Sequence, residues 1–258
     1  MESLIALFTP HGNSTQWLAL GFIFFLAGMV KGIIGLGLPT VAIALLSLSM
    51  TPMQAAALLF LPSLLTNIWQ LASGARLQPL LTRLTPMLLG ICLGTFVSGF
   101  LFSKLDPVWS GAGLGVALLL YGIMGLASVH WQVPSHAERR LAPVIGMATG
   151  MVTATTGVFV LPSVPYLQAL DLDKDKLVQA MGLSFTVSTL ALGINLYGNG
   201  TLQWNIAGDS LLALLPALAG MQFGQILRNK MQPILFKRCF FIGLLAWGVH
   251  YLWGAVKS

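Results

Sequence analysis

The chain has 258 residues, of which 56% are hydrophobic and 8% charged, with a formal charge of +6 and a mean hydropathy of +0.84. A soluble domain carries about a quarter charged residues, so this chain cannot cover itself with polar side chains and reads as an integral membrane protein. The positive charge is not read as a nucleic-acid signal, because the basic residues fall mainly between apolar segments, the pattern that orients a chain in a membrane.

The N-terminus, MESLIALFTPHGNSTQ, lacks a basic leader, and the apolar run after it continues too far for a cleavable signal peptide. Apolar segments then follow at 17–30, 38–50, 52–72, 84–104, 108–130, 141–153, 158–170, 176–197, 207–229 and 233–256. They are continuous rather than alternating, so they read as helices and not as barrel strands. A spanning helix needs about 20 residues, which 52–72, 84–104, 108–130, 176–197, 207–229 and 233–256 supply. The remaining four are short and form two pairs, 17–30 with 38–50 and 141–153 with 158–170, each joined by a Gly- or Thr-rich break. Trp17, Trp69, Trp109, Trp131, Trp204 and Trp253 fall near segment ends, where an amphipathic ring prefers to sit. Cys92 and Cys239 lie in apolar surroundings and suggest neither a disulfide framework nor a metal site.

The two halves read as copies. GMVKGIIG at 28–35 matches GMVTATTG at 150–157, and Pro39 matches Pro162 after one inserted residue. Gln54-Ala55 then matches Gln179-Ala180, Leu77-Gln78 matches Leu202-Gln203, and Pro86, Gly90 and Gly94 match Pro216, Gly220 and Gly224. Basic residues mark cytoplasmic loops, and equivalent loops differ in bias. Arg76 and Arg83 flank one loop whose counterpart near 198–206 is uncharged, whereas Lys104, offset by Asp106, faces Arg228, Lys230, Lys237 and Arg238. The expected fold is therefore an all-α membrane protein of two inverted repeats, 17–130 and 141–256. Each has one broken or re-entrant helix pair and three transmembrane helices, and both termini face outward. Arg139 and Arg140, in the central loop, then fall on the inner side. A parallel duplication, with each short pair forming one long broken helix, is the alternative.

The stretch GMVKGIIGLGLPT, Gly28 to Thr40, reads as the end of one half-helix and the start of another. Its glycines permit a sharp turn, and Pro39 suits the first turn of a new helix. Backbone that leaves helical geometry at membrane depth must be buried in protein or line a wet cavity. Lys31 lies deep in this apolar run, at a cost of about 2.5–3.5 kcal/mol for a central lysine, with no Asp or Glu nearby in sequence. Such a cation beside a helix break suits an anion. The expected substrate site comprises Lys31, Gly32, Gly35 and Gly37 at the first break and Thr153, Thr155, Thr156 and Gly157 at the second. Ser63, Asn67, Ser184 and Ser188 complete it, with Gln54, Gln179 and Asn195 as further polar candidates. Plainer roles compete with these: Lys31 snorkelling to an interface, glycines and serines in helix packing, and Gln54 and Gln179 supporting the breaks.

No carboxylate sits at mid-depth, since Glu2, Asp106, Glu138, Asp171, Asp173, Asp175 and Asp209 fall in loops or at helix ends. A buried acidic proton relay has nothing to run on, and no phosphate-binding loop appears. The four histidines show no ligand spacing. No enzyme chemistry, cofactor or metal is expected. Partners are a small anion and the lipid bilayer, with a homo-oligomer left open; an accessory subunit and a membrane-embedded enzyme are the competing classes.

The glycine-rich GMVKGIIGLGLPT, its second copy GMVTATTGVFVLP and the two-fold repeat, from about Trp17 to Trp253, resemble the sulfite exporter TauE/SafE family of membrane permeases. Many members carry three glycines in a row where this chain has Gly35-Leu36-Gly37-Leu38-Pro39. The resemblance implies a multi-pass protein of the cell inner membrane that moves sulfite, an organosulfonate or a related sulfur-containing anion. With the interior negative, each charge is worth about 2.3 kcal/mol per 100 mV, so an uncoupled anion carrier is expected to run outward.

Overall fold

A computed structural model describes residues 14–72, 77–101, 107–127, 132–202, 204–228 and 233–257. These residues form helices and no strand: α1 (Ser14–Ile34), α2 (Leu38–Leu46), α3 (Pro52–Leu58), α4 (Phe60–Ala72), α5 (Leu77–Leu101), α6 (Pro107–Ala127), α7 (Ser135–Thr156), α8 (Ser163–Gln168), α9 (Lys174–Gly198), α10 (Trp204–Arg228) and α11 (Pro233–Lys257). Among them α1, α5, α6, α9, α10 and α11 are long and apolar enough to cross a membrane, and α3 with α4 forms a bent pair that passes the same test together. The chain is a multi-pass membrane protein. Phe22, Leu93, Ile123, Ile194, Leu215 and Val249 are exposed on these helices, as side chains bathed in lipid would be.

Three boundaries differ from the sequence reading. Segment 17–30 is not a half-helix: α1 continues through Lys31 and Gly32 for 21 residues. Lysine is a good helix former and one glycine costs only about 1 kcal/mol, so α1 stops only where Gly35 and Gly37 adopt φ of 86° and 103°, a region glycine alone enters freely. Segment 141–153 likewise belongs to a longer helix, α7, which starts at Ser135 and carries Arg139 and Arg140 on its exposed first turns rather than in a loop. Segment 52–72 is not one straight span but bends by 59° between Leu58 and Phe60. Pro62 has no N–H for the Leu58 carbonyl, and its ring crowds that carbonyl. The Leu61 N–H, also displaced by the bend, donates instead to Ser210 Oγ of α10 at 3.2 Å.

Two seams join the halves. On one, Gly28 and Gly32 of α1 face the Ala217 and Met221 carbonyls of α10, while Gly220 and Gly224 face Phe25 and Met29. On the other, Gly90 and Gly94 of α5 face Pro143 and Met147 of α7, while Gly146 and Gly150 face Met87 and Ile91. In both seams the contacts advance together along the two helices, so each pair runs parallel. A Cβ at these glycines would collide with backbone; small residues are what let transmembrane backbones approach so closely. Two further pairs are antiparallel. Phe60 of α4 meets Gly193 of α9 while Leu71 meets Gly182, and Gly115 of α6 meets Gly248 of α11 while Gly122 meets Leu245.

The ends of the bundle are fastened differently. Arg83 of α5 donates twice to the Glu138 carboxylate of α7, at 2.6 and 2.8 Å, and once to the Leu170 carbonyl beyond α8, at 3.1 Å. Tyr251 of α11 donates to the Ala44 carbonyl of α2 at 2.7 Å. Replacing Gly150 or Gly224 with Leu is expected to lower the thermal unfolding midpoint in detergent, overpacking by about 1–3 kcal/mol or more. Gly243→Ala, where nothing lies within 4 Å of an added Cβ, should not lower the midpoint and should raise it slightly, since a mid-helix glycine costs up to about 1 kcal/mol against alanine.

Candidate functional site

The two helix breaks and the bend between α3 and α4 converge on one region. At the first break, Gly35 and Gly37 turn the chain from α1 into α2, and the Gly35 N–H still closes on the Lys31 carbonyl at 2.8 Å. At the second, Gly157 at φ 75° ends α7, and Val158–Leu161 run buried and non-helical into α8. A cavity with room for about one water molecule is bordered by Pro39 of the first break, Gly157 of the second, Leu59 and Phe60 of the bend, and Thr189 of α9.

Lys31 occupies the last turn of α1, where the negative end of the helix dipole favours a cation. It is 5% exposed, so it does not snorkel to an interface. Its ammonium donates to Asn67 Oδ1 at 2.5 Å and to Thr66 Oγ1 at 3.0 Å, both on α4. Asn67 Nδ2 in turn donates to Thr189 Oγ1 at 3.4 Å, which carries the network to the cavity wall. Every acceptor for the ammonium is neutral. Lys31 is the one charged side chain that is buried among the described residues.

Ser63 lies one helical turn before Asn67, 2% exposed, and borders the cavity; its Oγ has no hydrogen-bond partner among the described residues. The hydroxyls of Ser184 and Ser188 on α9 and Thr40 on α2 are also buried without a partner among the described residues. A buried unpaired hydroxyl costs about 1–3 kcal/mol; of these four only Ser63 borders the cavity.

The threonines of the second break are placed otherwise than expected of free donors. Thr153 Oγ1 donates to the Thr149 carbonyl at 2.7 Å, Thr155 to Met151 at 3.0 Å, and Thr156 to Val152 at 2.7 Å. In apolar surroundings a threonine proton turns back on its own helix. Thr156 Oγ1 additionally accepts from the Val158 N–H at 3.2 Å, capping the break. Gly32 faces α10 in the packing seam rather than the cavity. Gln54 closes a capping box with Thr51 at the start of α3. Gln179 and Gln70 cross-link α4 and α9 through the Leu71 and Val178 carbonyls, and Asn195 donates to the Thr95 carbonyl at 3.3 Å.

Phe159 of the second break also borders the cavity, and sequence alone singles out neither it nor Thr66 nor Thr189. Thr66 was within reach of it: it follows Ser63 by three residues and so shares its helix face. Thr189 and Phe159 carry no such signal, because what recruits them is the antiparallel packing of α4 on α9 and the path of the second break.

Compared with known proteins, residues 20–251 match the model of a family described as Sulfite exporter TauE/SafE. No curated protein and no solved structure matches the chain.

Replacing Asn67 with Leu removes one acceptor of a buried ammonium, where a hydrogen bond to charge is worth about 1.5–3 kcal/mol. The thermal midpoint should fall by a corresponding amount. Adding Lys31→Met should recover most of the loss, because replacing both partners by apolar groups leaves no charge stranded.

Proposed function

Because this chain belongs to the sulfite exporter TauE/SafE family, we propose that it is a secondary transporter moving a small sulfur-containing oxyanion, sulfite or an organosulfonate, across the cell inner membrane. Transport proceeds by alternating access around Lys31. The observation that supports this most is the combination at the site: a buried ammonium with only neutral acceptors, linked through Asn67 and Thr189 to a cavity that both helix breaks border. An intramembrane ionisable residue of this kind marks a substrate pathway by default. In the present conformation the ammonium is satisfied by Thr66 and Asn67. An anion entering from either side exchanges those neutral acceptors for a full negative charge, and Ser63, Ser184 and Ser188 add neutral donors. The site lies where irregular backbone and charge are shielded from lipid, a recurring transporter design.

Alternating access follows from two inverted repeats, 17–130 and 141–256. Helix directions support the inversion. Short connections reverse α4 into α5 and α5 into α6, as they do α9 into α10 and α10 into α11. Since α7 runs with α5, α1 with α10, α9 against α4 and α11 against α6, every long helix opposes its counterpart in the other half. A parallel duplication would require α4 and α9 to run together. The same directions make α1 and α4 point one way, so the chain returns between them through α2, as a re-entrant pair requires. The inside-negative potential drives an uncoupled anion outward, and export is the direction assigned.

Lys31→Gln in proteoliposomes should abolish flux of labelled sulfite and organosulfonate while the protein still inserts and folds; undiminished flux overturns the site. Single cysteines at Gln78 and Asn199, at equivalent ends of the two halves, should label from opposite membrane faces. Labelling from one face would defeat the inversion.

A further inference from the structure

The facing helices α4 and α9 are tied by a reciprocal pair of amides. Gln70 Nε2 donates to the Val178 carbonyl and Gln179 Nε2 to the Leu71 carbonyl, each at 3.1 Å, so each amide reaches the carbonyl beside the other. Leu71 meets Gly182 while Phe60 meets Gly193, so the pair closes the end where α4 finishes and α9 starts. The short connection from α4 into α5 places that end beside Arg83, and α7, parallel to α5, starts there with Arg139 and Arg140. Basic residues mark it as the inner end. The cavity lies on the outer side of the pair. Thr189, Leu192 and Leu196 follow Gln179 along α9, and Ser63, Phe60 and Ala56 precede Gln70 along α4 and α3.

The duplication gives every member of this pair a counterpart. Gln54 matches Gln179 and Leu77 matches Leu202 at the same spacing, so no insertion falls between them and Gln70 matches Asn195. Val178 and Leu71, which supply the carbonyls, match Met53 and Leu196. Elsewhere in this stretch the chemistry is not kept: Pro62, Thr66 and Asn67 match Val187, Ala191 and Leu192. The two donors, by contrast, stay carboxamides. Inversion carries them to the outer end, where α3 starts and α9 finishes, and there they hold other partners. Gln54 Oε1 accepts from the Thr51 N–H at 3.0 Å. Asn195 Nδ2 donates to the Thr95 carbonyl of α5 at 3.3 Å, beside Gly99, where a Cβ would collide with its amide.

On the premise of the inverted repeats and alternating access proposed above, we infer that Gln70 with Gln179 forms the inner gate of the pathway and Gln54 with Asn195 the outer gate, the two amide pairs closing in turn. The structure has the inner pair closed. In the opposite phase Gln70 and Gln179 part, Asn195 turns to the Met53 carbonyl and Gln54 to the Leu196 carbonyl. The test places one reporter, Leu192→Cys at the cavity, in the full chain with Cys92→Ala and Cys239→Ser. Its labelling by a membrane-impermeant thiosulfonate is compared in right-side-out and inside-out membrane vesicles. Gln179→Met removes an inner donor and should raise inner over outer labelling by about fivefold, the effect of one net hydrogen bond. Gln54→Glu keeps an oxygen for the capping box but has no N–H to give, and should shift the ratio outward by a similar factor. Combining the two should bring the ratio back. Should Gln179→Met fail to insert, Gln70→Met should give its shift. A ratio that neither variant changes, or that both move the same way, overturns the paired gates. Opposed shifts in a protein that moves no labelled sulfite leave the gates standing and overturn the substrate reading instead.

Discussion

A lysine ammonium at the end of α1, closed off from water and held by Thr66 and Asn67, constrains much of what surrounds it. Burying a charge against neutral acceptors alone is expensive unless the geometry is fixed. The fixing begins with α1, which must approach α10 closely enough for Gly28 and Gly32 to meet its backbone. It continues with α4, which must be turned so that Thr66 and Asn67 face inward. That turn is set by the bend at Leu59, which Pro62 imposes and Ser210 of the other half stabilises. The charge is therefore positioned jointly by both halves of the chain, and no single segment could hold it.

The same arrangement leaves the region poised rather than saturated. Ser63, Ser184, Ser188 and Thr40 are buried with hydroxyls that have no partner among the described residues, which a purely structural core tends to avoid. Alongside them, Gln70 and Gln179 reach across to backbone carbonyls on the facing helix and tie α4 to α9 at one end of their contact. Of the unpartnered hydroxyls, Ser63 is the one that borders the cavity.

Much of the architecture was legible in the sequence because it depends on composition and on glycine. Membrane class follows from the scarcity of charge, and the breaks at Gly35–Gly37 and Gly157 follow from residues that tolerate positive φ. Lys31 was legible as a lone charge in an apolar run. The bend in 52–72 was hidden because apolar content does not report backbone geometry, although Pro62 carried the information. The length of α1 was hidden for the opposite reason: Lys31 and Gly32 looked like interruptions, yet neither stops a helix. Sequence alone reads Thr153, Thr155 and Thr156 as donors toward a ligand. In an apolar environment their protons go to the carbonyls one turn back, and this competition is invisible to spacing. The hydroxyl of Thr189 entered the network only through tertiary packing.

The two fastenings of the bundle have unlike physics. Short connections and helix contacts make α5 and α11 run the same way, so Arg83, near the start of α5, and Tyr251, near the finish of α11, mark opposite ends. At the Arg83 end the hold is an ion pair partly open to solvent, a kind of contact that contributes less as salt rises. At the Tyr251 end it is a neutral hydroxyl on a carbonyl, which salt scarcely touches. Ionic strength therefore acts as a one-sided solvent variable on this molecule, loosening one pole of the bundle while the other stays as it was.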